Sequence, residues 1–120
     1  MNKEGKKIVL VVEDDLALLE ALELMLKEHY DVVKATNGKE AVKLYHTVKP
    51  DLILTDIVMP EMDGIKATEE ILSIDPNAKI VGITAYYLSK ERDLIQAGAK
   101  EVLEKPFTRK KLLETIAKYI

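Results

Sequence analysis

At 120 residues and 13.5 kDa the chain has the size of one domain over residues 1–120, and its 48% apolar content suits a core of ordinary extent. It contains no cysteine, which excludes disulfides, thiolate nucleophiles and zinc–thiolate sites. Its 18 basic and 21 acidic side chains leave a net charge of −3, giving no general attraction to nucleic acid.

The chain opens on a short polar segment, Met1 to Lys7, without the apolar core of a secretion signal. Ile8–Val12 reads as a buried strand and is followed by Glu13-Asp14-Asp15. A helical pattern comes next, with Leu18, Ala21, Leu22 and Met25 as its apolar stripe and Asp15 as its N-cap. Leu16 and Leu19 fall outside that stripe, near the strand end, and suggest an apolar docking patch. Val32–Ala35 is a second, more mixed strand. Asn37 then caps a helix over Gly38–Val48, with Ala41, Leu44, Tyr45 and Val48 inward and Pro50 helping to end it.

Leu52–Thr55 forms a third strand and delivers Asp56 at its end. The third helix spans Ile65–Ile74 and stops at Asp75-Pro76-Asn77, a turn signature. Ile80–Thr84 is the fourth strand, and a helix over Ser89–Ala97 stops at Gly98. Val102–Leu103 is a short fifth strand leading into Lys105-Pro106-Phe107. Thr108 caps the last helix, whose stripe is Leu112, Leu113, Ile116 and Ala117 and whose Arg109-Lys110-Lys111 run is a solvated face. No apolar run nears the ~20 residues of a membrane span, so a cytoplasmic protein without a membrane partner is expected. His29 and His46 fall on helical stretches as structural or solvent-facing residues.

Strands alternating with helices in this way require a parallel α/β sheet with helices on both faces. Ligands of such sheets bind beyond the carboxyl ends of the strands. Those ends carry Glu13, Asp14 and Asp15, then Asp56, Thr84 and Lys105. Three carboxylates in mutual contact stay ionised only around a cation, and hard oxygen donors with room for water suit Mg²⁺ or Mn²⁺.

Val11-Val12-Glu13-Asp14-Asp15, Thr55-Asp56-Ile57-Val58-Met59-Pro60 with Met62-Asp63-Gly64, Ile83-Thr84-Ala85 and Glu104-Lys105-Pro106-Phe107 resemble the signatures of response-regulator receiver domains (CheY-like). The resemblance runs from about Lys7 to Ile120. It implies a doubly wound (βα)5 flavodoxin-like sandwich, a five-stranded parallel sheet of order 2-1-3-4-5. It implies Asp56 as phosphoacceptor in a two-component phosphorelay. Glu13, Asp14, Asp56 and the backbone carbonyl of Val58 would hold the metal, Lys105 would contact the phosphoryl oxygens, and Thr84 with the Ala85 amide would read the modification. The Lys105–Pro106 bond matches the family's cis-proline site. The implied donor is a histidine kinase or a histidine phosphotransfer protein, docking near Leu16, Leu19, Pro106 and Phe107, with a downstream protein as target. Such a switch acts on its own phosphorylation only and is no enzyme toward other substrates.

The chain departs from the family pattern at Val102, where many receivers carry a switch aromatic; Tyr86 or its neighbour Tyr87 would then serve as the substitute reporter. Val58 and Tyr86 each lie two residues past a site residue, and their bulk points to a long-lived phosphoryl group. Two other functions compete. An aspartyl-phosphate phosphatase resembles Asp-x-Asp, where this chain has Val58, and it needs a cap domain. A receiver-shaped module without phosphorylation would have no need of the complete acidic set. No output domain is visible in the sequence given, so either a stand-alone receiver or a receiver cut from a longer protein is expected.

Overall fold

The computed structural model describes residues 5–59, 62–85 and 88–120, apart from the side chains of Leu88 and Ser89. Five runs rich in Ile, Leu and Val form strands: β1 (Ile8–Val12), β2 (Asp31–Ala35), β3 (Leu52–Asp56), β4 (Ile80–Thr84) and β5 (Glu101–Glu104). They alternate with α1 (Leu16–Leu26), α2 (Gly38–Val48), α3 (Gly64–Ile74), α4 (Leu88–Ala97) and α5 (Arg109–Ala117). All four strand pairings are parallel, in the order β2-β1-β3-β4-β5. The mixed strands β2 and β5 lie at the edges, while β1, β3 and β4 occupy the centre, where both faces demand apolar side chains.

The two-residue period of the central strands divides the core. Val9, Val11, Leu52, Leu54, Val81 and Ile83 point to one face and are covered by α1 and α5 through Leu19, Leu22, Leu26, Leu112 and Ile116. Leu10, Val12, Ile53 and Ile80 point to the other, under Ala41 and Tyr45 of α2, Ile71 of α3 and Leu94 of α4. Each fully buried Leu or Ile contributes about 1.5–3 kcal/mol of transfer free energy. These two layers hold the strand ends in a fixed relation.

The helix ends follow the predicted chemistry. Asp15 Oδ1 accepts from the amides of Ala17 (3.0 Å) and Leu18 (3.3 Å). Asn37 caps α2 through Glu40 N–H and Thr108 caps α5 through Lys111 N–H; Asp63, not singled out as a cap from the sequence, caps α3 through Lys66 N–H. Gly98 ends α4 at φ +121°, where an L side chain would be strained. Lys49 adopts φ 51° at the end of α2.

Two apolar stripes differ from the reading by periodicity. On α1 the buried residues are Leu19, Leu22 and Leu26, while Leu18, Ala21 and Met25 are half-buried. Leu19 is therefore core and not part of a docking patch; α1 is apolar on so many positions that spacing alone did not choose its inner face. On α5, Thr115 is buried and Ala117 exposed. Thr115 satisfies its hydroxyl by donating to Lys111 O at 2.8 Å, which makes a β-branched polar residue acceptable in the core.

Candidate functional site

Because all strands run the same way, their carboxyl ends share one rim. Glu13 follows β1 and continues its pairing with β2, its N–H donating to Ala35 O at 3.0 Å. Its side chain is only 1% exposed. Asp14, one residue on, is exposed. Asp56 closes β3 in the middle of the sheet, half-buried, with its Oδ1 accepting from Ile57 N–H at 2.8 Å. One carboxylate oxygen from each of Glu13, Asp14 and Asp56 lies within 4.8 Å of the others. Asp15 stands apart as the α1 cap.

Lys105, just past β5, reaches into this group. Its Nζ lies 3.5 Å from Glu13 Oε1 and 3.8 Å from Asp56 Oδ2. The lysine is fixed from behind, since its backbone N–H donates to Thr84 O at 2.6 Å; its peptide bond to Pro106 is cis. Thr84, at the end of β4, is buried, and Ala85 beside it is exposed. One rim thus gathers Glu13, Asp14, Asp56, Thr84 and Lys105 from four strand ends, as the sequence suggested.

Burial raises both inner acids. Glu13 is pushed up to about 7, chiefly by loss of solvent and further by Asp56, against the Asp15 amide and Lys105, which pull it down. Burial likewise raises Asp56, while Lys105 and the Ile57 amide favour its charged form. Three carboxylates against one ammonium leave an excess of negative charge in a partly dry rim. Oxygen donors gathered this closely, one of them exposed, fit a small hard divalent cation that keeps several waters.

Other predicted residues divide. Val58 is exposed between buried Ile57 and Met59, so its side chain stands out beside the site. Val102 is half-buried on the edge strand β5, packed against the α2–α3–α4 side of the core. Leu16 is 67% exposed and Pro106 is exposed, whereas Phe107 is half-buried against the α1–α5 side. Tyr86 and Tyr87 lie outside the described residues.

Some contributors carried no signal by residue type. The amides of Asp15 and Ile57 orient the two inner carboxylates, the first donating to Glu13 Oε2 at 3.1 Å. Gly64 was legible only as part of a motif. A Cβ there would stand 2.2 Å from Asp56 O, and its amide donates to Ile57 O at 2.7 Å.

The profile of the response regulator receiver domain matches residues 9–117. The chain is 42% identical over 118 residues to a chemotaxis protein CheY of Thermotoga maritima, an alignment covering 95% of this chain and 97% of that one. It is also 42% identical over 113 residues to CheY of Bacillus subtilis, covering 91% and 94%. Among solved structures, the response regulator TrrA of Thermotoga maritima in complex with Mg²⁺ and BeF superposes with a TM-score of 0.87 at 34% identity, covering 95% of this chain and 99% of that one. CheY of Borrelia burgdorferi, in a CheX–CheY–BeF3–Mg²⁺ complex, gives 0.86 at 32% identity, covering 93% and 87%. Sheet order, acidic rim and these likenesses agree: the chain belongs to the response-regulator receiver-domain family.

Proposed function

We propose that this receiver domain is a phosphorylation switch in which Asp56 accepts a phosphoryl group from a phosphohistidine of a histidine kinase or phosphotransfer protein. The observation that carries the reading is the grouping of Asp56 with Glu13 and Asp14, one oxygen of each within 4.8 Å of the others, with the Lys105 ammonium 3.8 Å from Asp56 Oδ2. Glu13, Asp14, Asp56 and the Val58 carbonyl would hold Mg²⁺, the ion present in the complexes of two related receivers. Bound there, the ion supplies positive charge against the phosphoryl oxygens.

The chain's own residues divide the remaining work. The Ile57 amide holds Oδ1 of Asp56, which leaves Oδ2 to attack phosphorus. The O–P bond forms as the P–N bond of the donor breaks, and the electron pair leaves with the imidazole, which takes up a proton. Lys105, fixed by its backbone bond to Thr84, offsets charge on the transferred group. The acyl phosphate then presents new acceptors at the rim. Thr84 and the Ala85 amide, at the end of β4, would donate to them, and their movement would bias a two-state equilibrium that a target protein reads.

Incubation with acetyl phosphate and Mg²⁺, followed by intact mass measurement, tests this. One phosphoryl group per chain is expected, absent in Asp56→Asn. Steady release of phosphate would favour a phosphatase, and no mass gain would leave an interaction module.

A further inference from the structure

We propose that Gly38, the first residue of α2, is a positioning residue for the acidic rim: it braces the loop between β3 and α3, and a side chain there displaces that loop. The inference rests on reading the rim as a cation-dependent phosphoacceptor site.

The β3–α3 loop leaves Asp56 and carries Val58. It is pinned at two points by close backbone approaches. At its start and end, Gly64 N–H donates to Ile57 O at 2.7 Å. Further along, Gly38 N–H donates to Met62 O at 2.9 Å. The Gly38 amide is one of the first-turn N–H groups that an α-helix cannot satisfy within itself, so α2 directs this donor to the neighbouring loop. The N-terminal end of α2 is otherwise completed by its own side chains, with Asn37 Oδ1 on Glu40 N–H and Glu40 Oε1 on Thr36 N–H.

Glycine is required at this point by space and not by backbone angle, since Gly38 does not have a positive φ. A Cβ on it would stand 2.3 Å from Met62 O and 3.0 Å from Asp63 O. An ordinary carbon–oxygen contact is about 3.3 Å or more, so Met62 and α2 must part by roughly 1 Å. The helix has little freedom to supply that separation. Its Tyr45 is buried in the core and donates its hydroxyl to Asp75 Oδ2 at the far end of α3. The displacement therefore passes to the loop. Asp63 lies directly on its path, since its side chain caps α3 and its carbonyl accepts from Ala67 N–H.

Mg²⁺ tolerates little departure from octahedral geometry. Losses from disturbed outer residues of metal sites run to roughly 10–100-fold in affinity. Gly38→Ala should therefore weaken Mg²⁺ binding about 10-fold, and slow phosphorylation by acetyl phosphate, although residue 38 touches none of the acidic groups.

The experiment compares wild type, Gly38→Ala and the exposed neighbour Lys39→Ala by amide NMR during Mg²⁺ titration. Expected are a raised Mg²⁺ Kd in Gly38→Ala alone and shifted amides at 57–59 and 62–64, with α1 and α5 unmoved. A folded Gly38→Ala with the wild-type Kd overturns the proposal. Should that variant not fold, hydrogen exchange of the wild-type Gly38 amide decides. Slower exchange with Mg²⁺ supports the brace, and unchanged exchange refutes it. If wild type neither binds Mg²⁺ nor accepts a phosphoryl group, the acceptor reading fails and the positioning role with it. Metal-free loop amides in Gly38→Ala then report separately on whether the mechanical brace exists.

Discussion

Replacing Glu13 by Gln removes a charge from the driest position of the rim. Glu13 is 1% exposed, and burial lifts its pKa from 4.5 to about 7. The folded state therefore keeps a proton that the unfolded chain has already released across that interval, and metal-free stability falls as pH rises from 4.5 to about 7. At 1.36 kcal/mol per pKa unit the loss has a ceiling of about 3 kcal/mol. Gln keeps the shape and an oxygen for the Asp15 amide, but it gives up the ion pair with Lys105 at 3.5 Å. A net gain of about 2 kcal/mol is expected for Glu13→Gln near pH 8 in EDTA, and almost none near pH 5, where wild-type Glu13 is protonated when folded. Urea unfolding at the two pH values, with enough EDTA to remove divalent ions, measures this. Equal or lower stability of the variant near pH 8 would refute the claim that Glu13 is held against its burial. Mg²⁺ should reverse the order, because an ion that binds only the folded state stabilises wild type more than the variant.

Leu16→Ala should leave unfolding unchanged within about 0.5 kcal/mol, since the side chain is 67% exposed. It should slow phosphotransfer from a histidine donor while the rate with acetyl phosphate stays constant, and equal slowing of both would reject Leu16 as a docking contact. On the same helix, Leu22→Ala should cost about 2–5 kcal/mol, whereas Leu24→Ala, at a 56% exposed position, should cost little in a urea titration. Gly82→Ala places a Cβ 2.2 Å from Leu94 Cδ2 between β4 and α4, and should destabilise by about 1–3 kcal/mol through overpacking. Val58→Asn exchanges an exposed apolar side chain beside Asp56 for one able to orient water, so phosphoryl loss followed by mass measurement should quicken; an unchanged lifetime would show that Val58 does not shield the group.

The order of residue types along the chain determined the strands and helices of the described residues, the parallel sheet, and the side chains delivered to the strand ends. Those features are local: a β-branched run makes a strand, Asp15, Asn37 and Thr108 cap the starts of helices, and a parallel strand can present its terminal carboxylate only at one rim. What tertiary structure decided was orientation and approach. Leu16 and Leu19 are identical in type and three apart, yet only packing into the core layer shared with α5 buries Leu19 and leaves Leu16 in solvent. Thr115 entered the core because a backbone carbonyl one turn earlier accepted its hydroxyl. The rise in the Glu13 pKa comes from burial in the folded rim, which no spacing in the sequence encodes. Gly38 makes the same point most sharply. In sequence it is the start of a helix; in space it is a residue small enough to let Met62 O come within 2.9 Å of its amide, because α2 and the β3–α3 loop meet only after the sheet has formed.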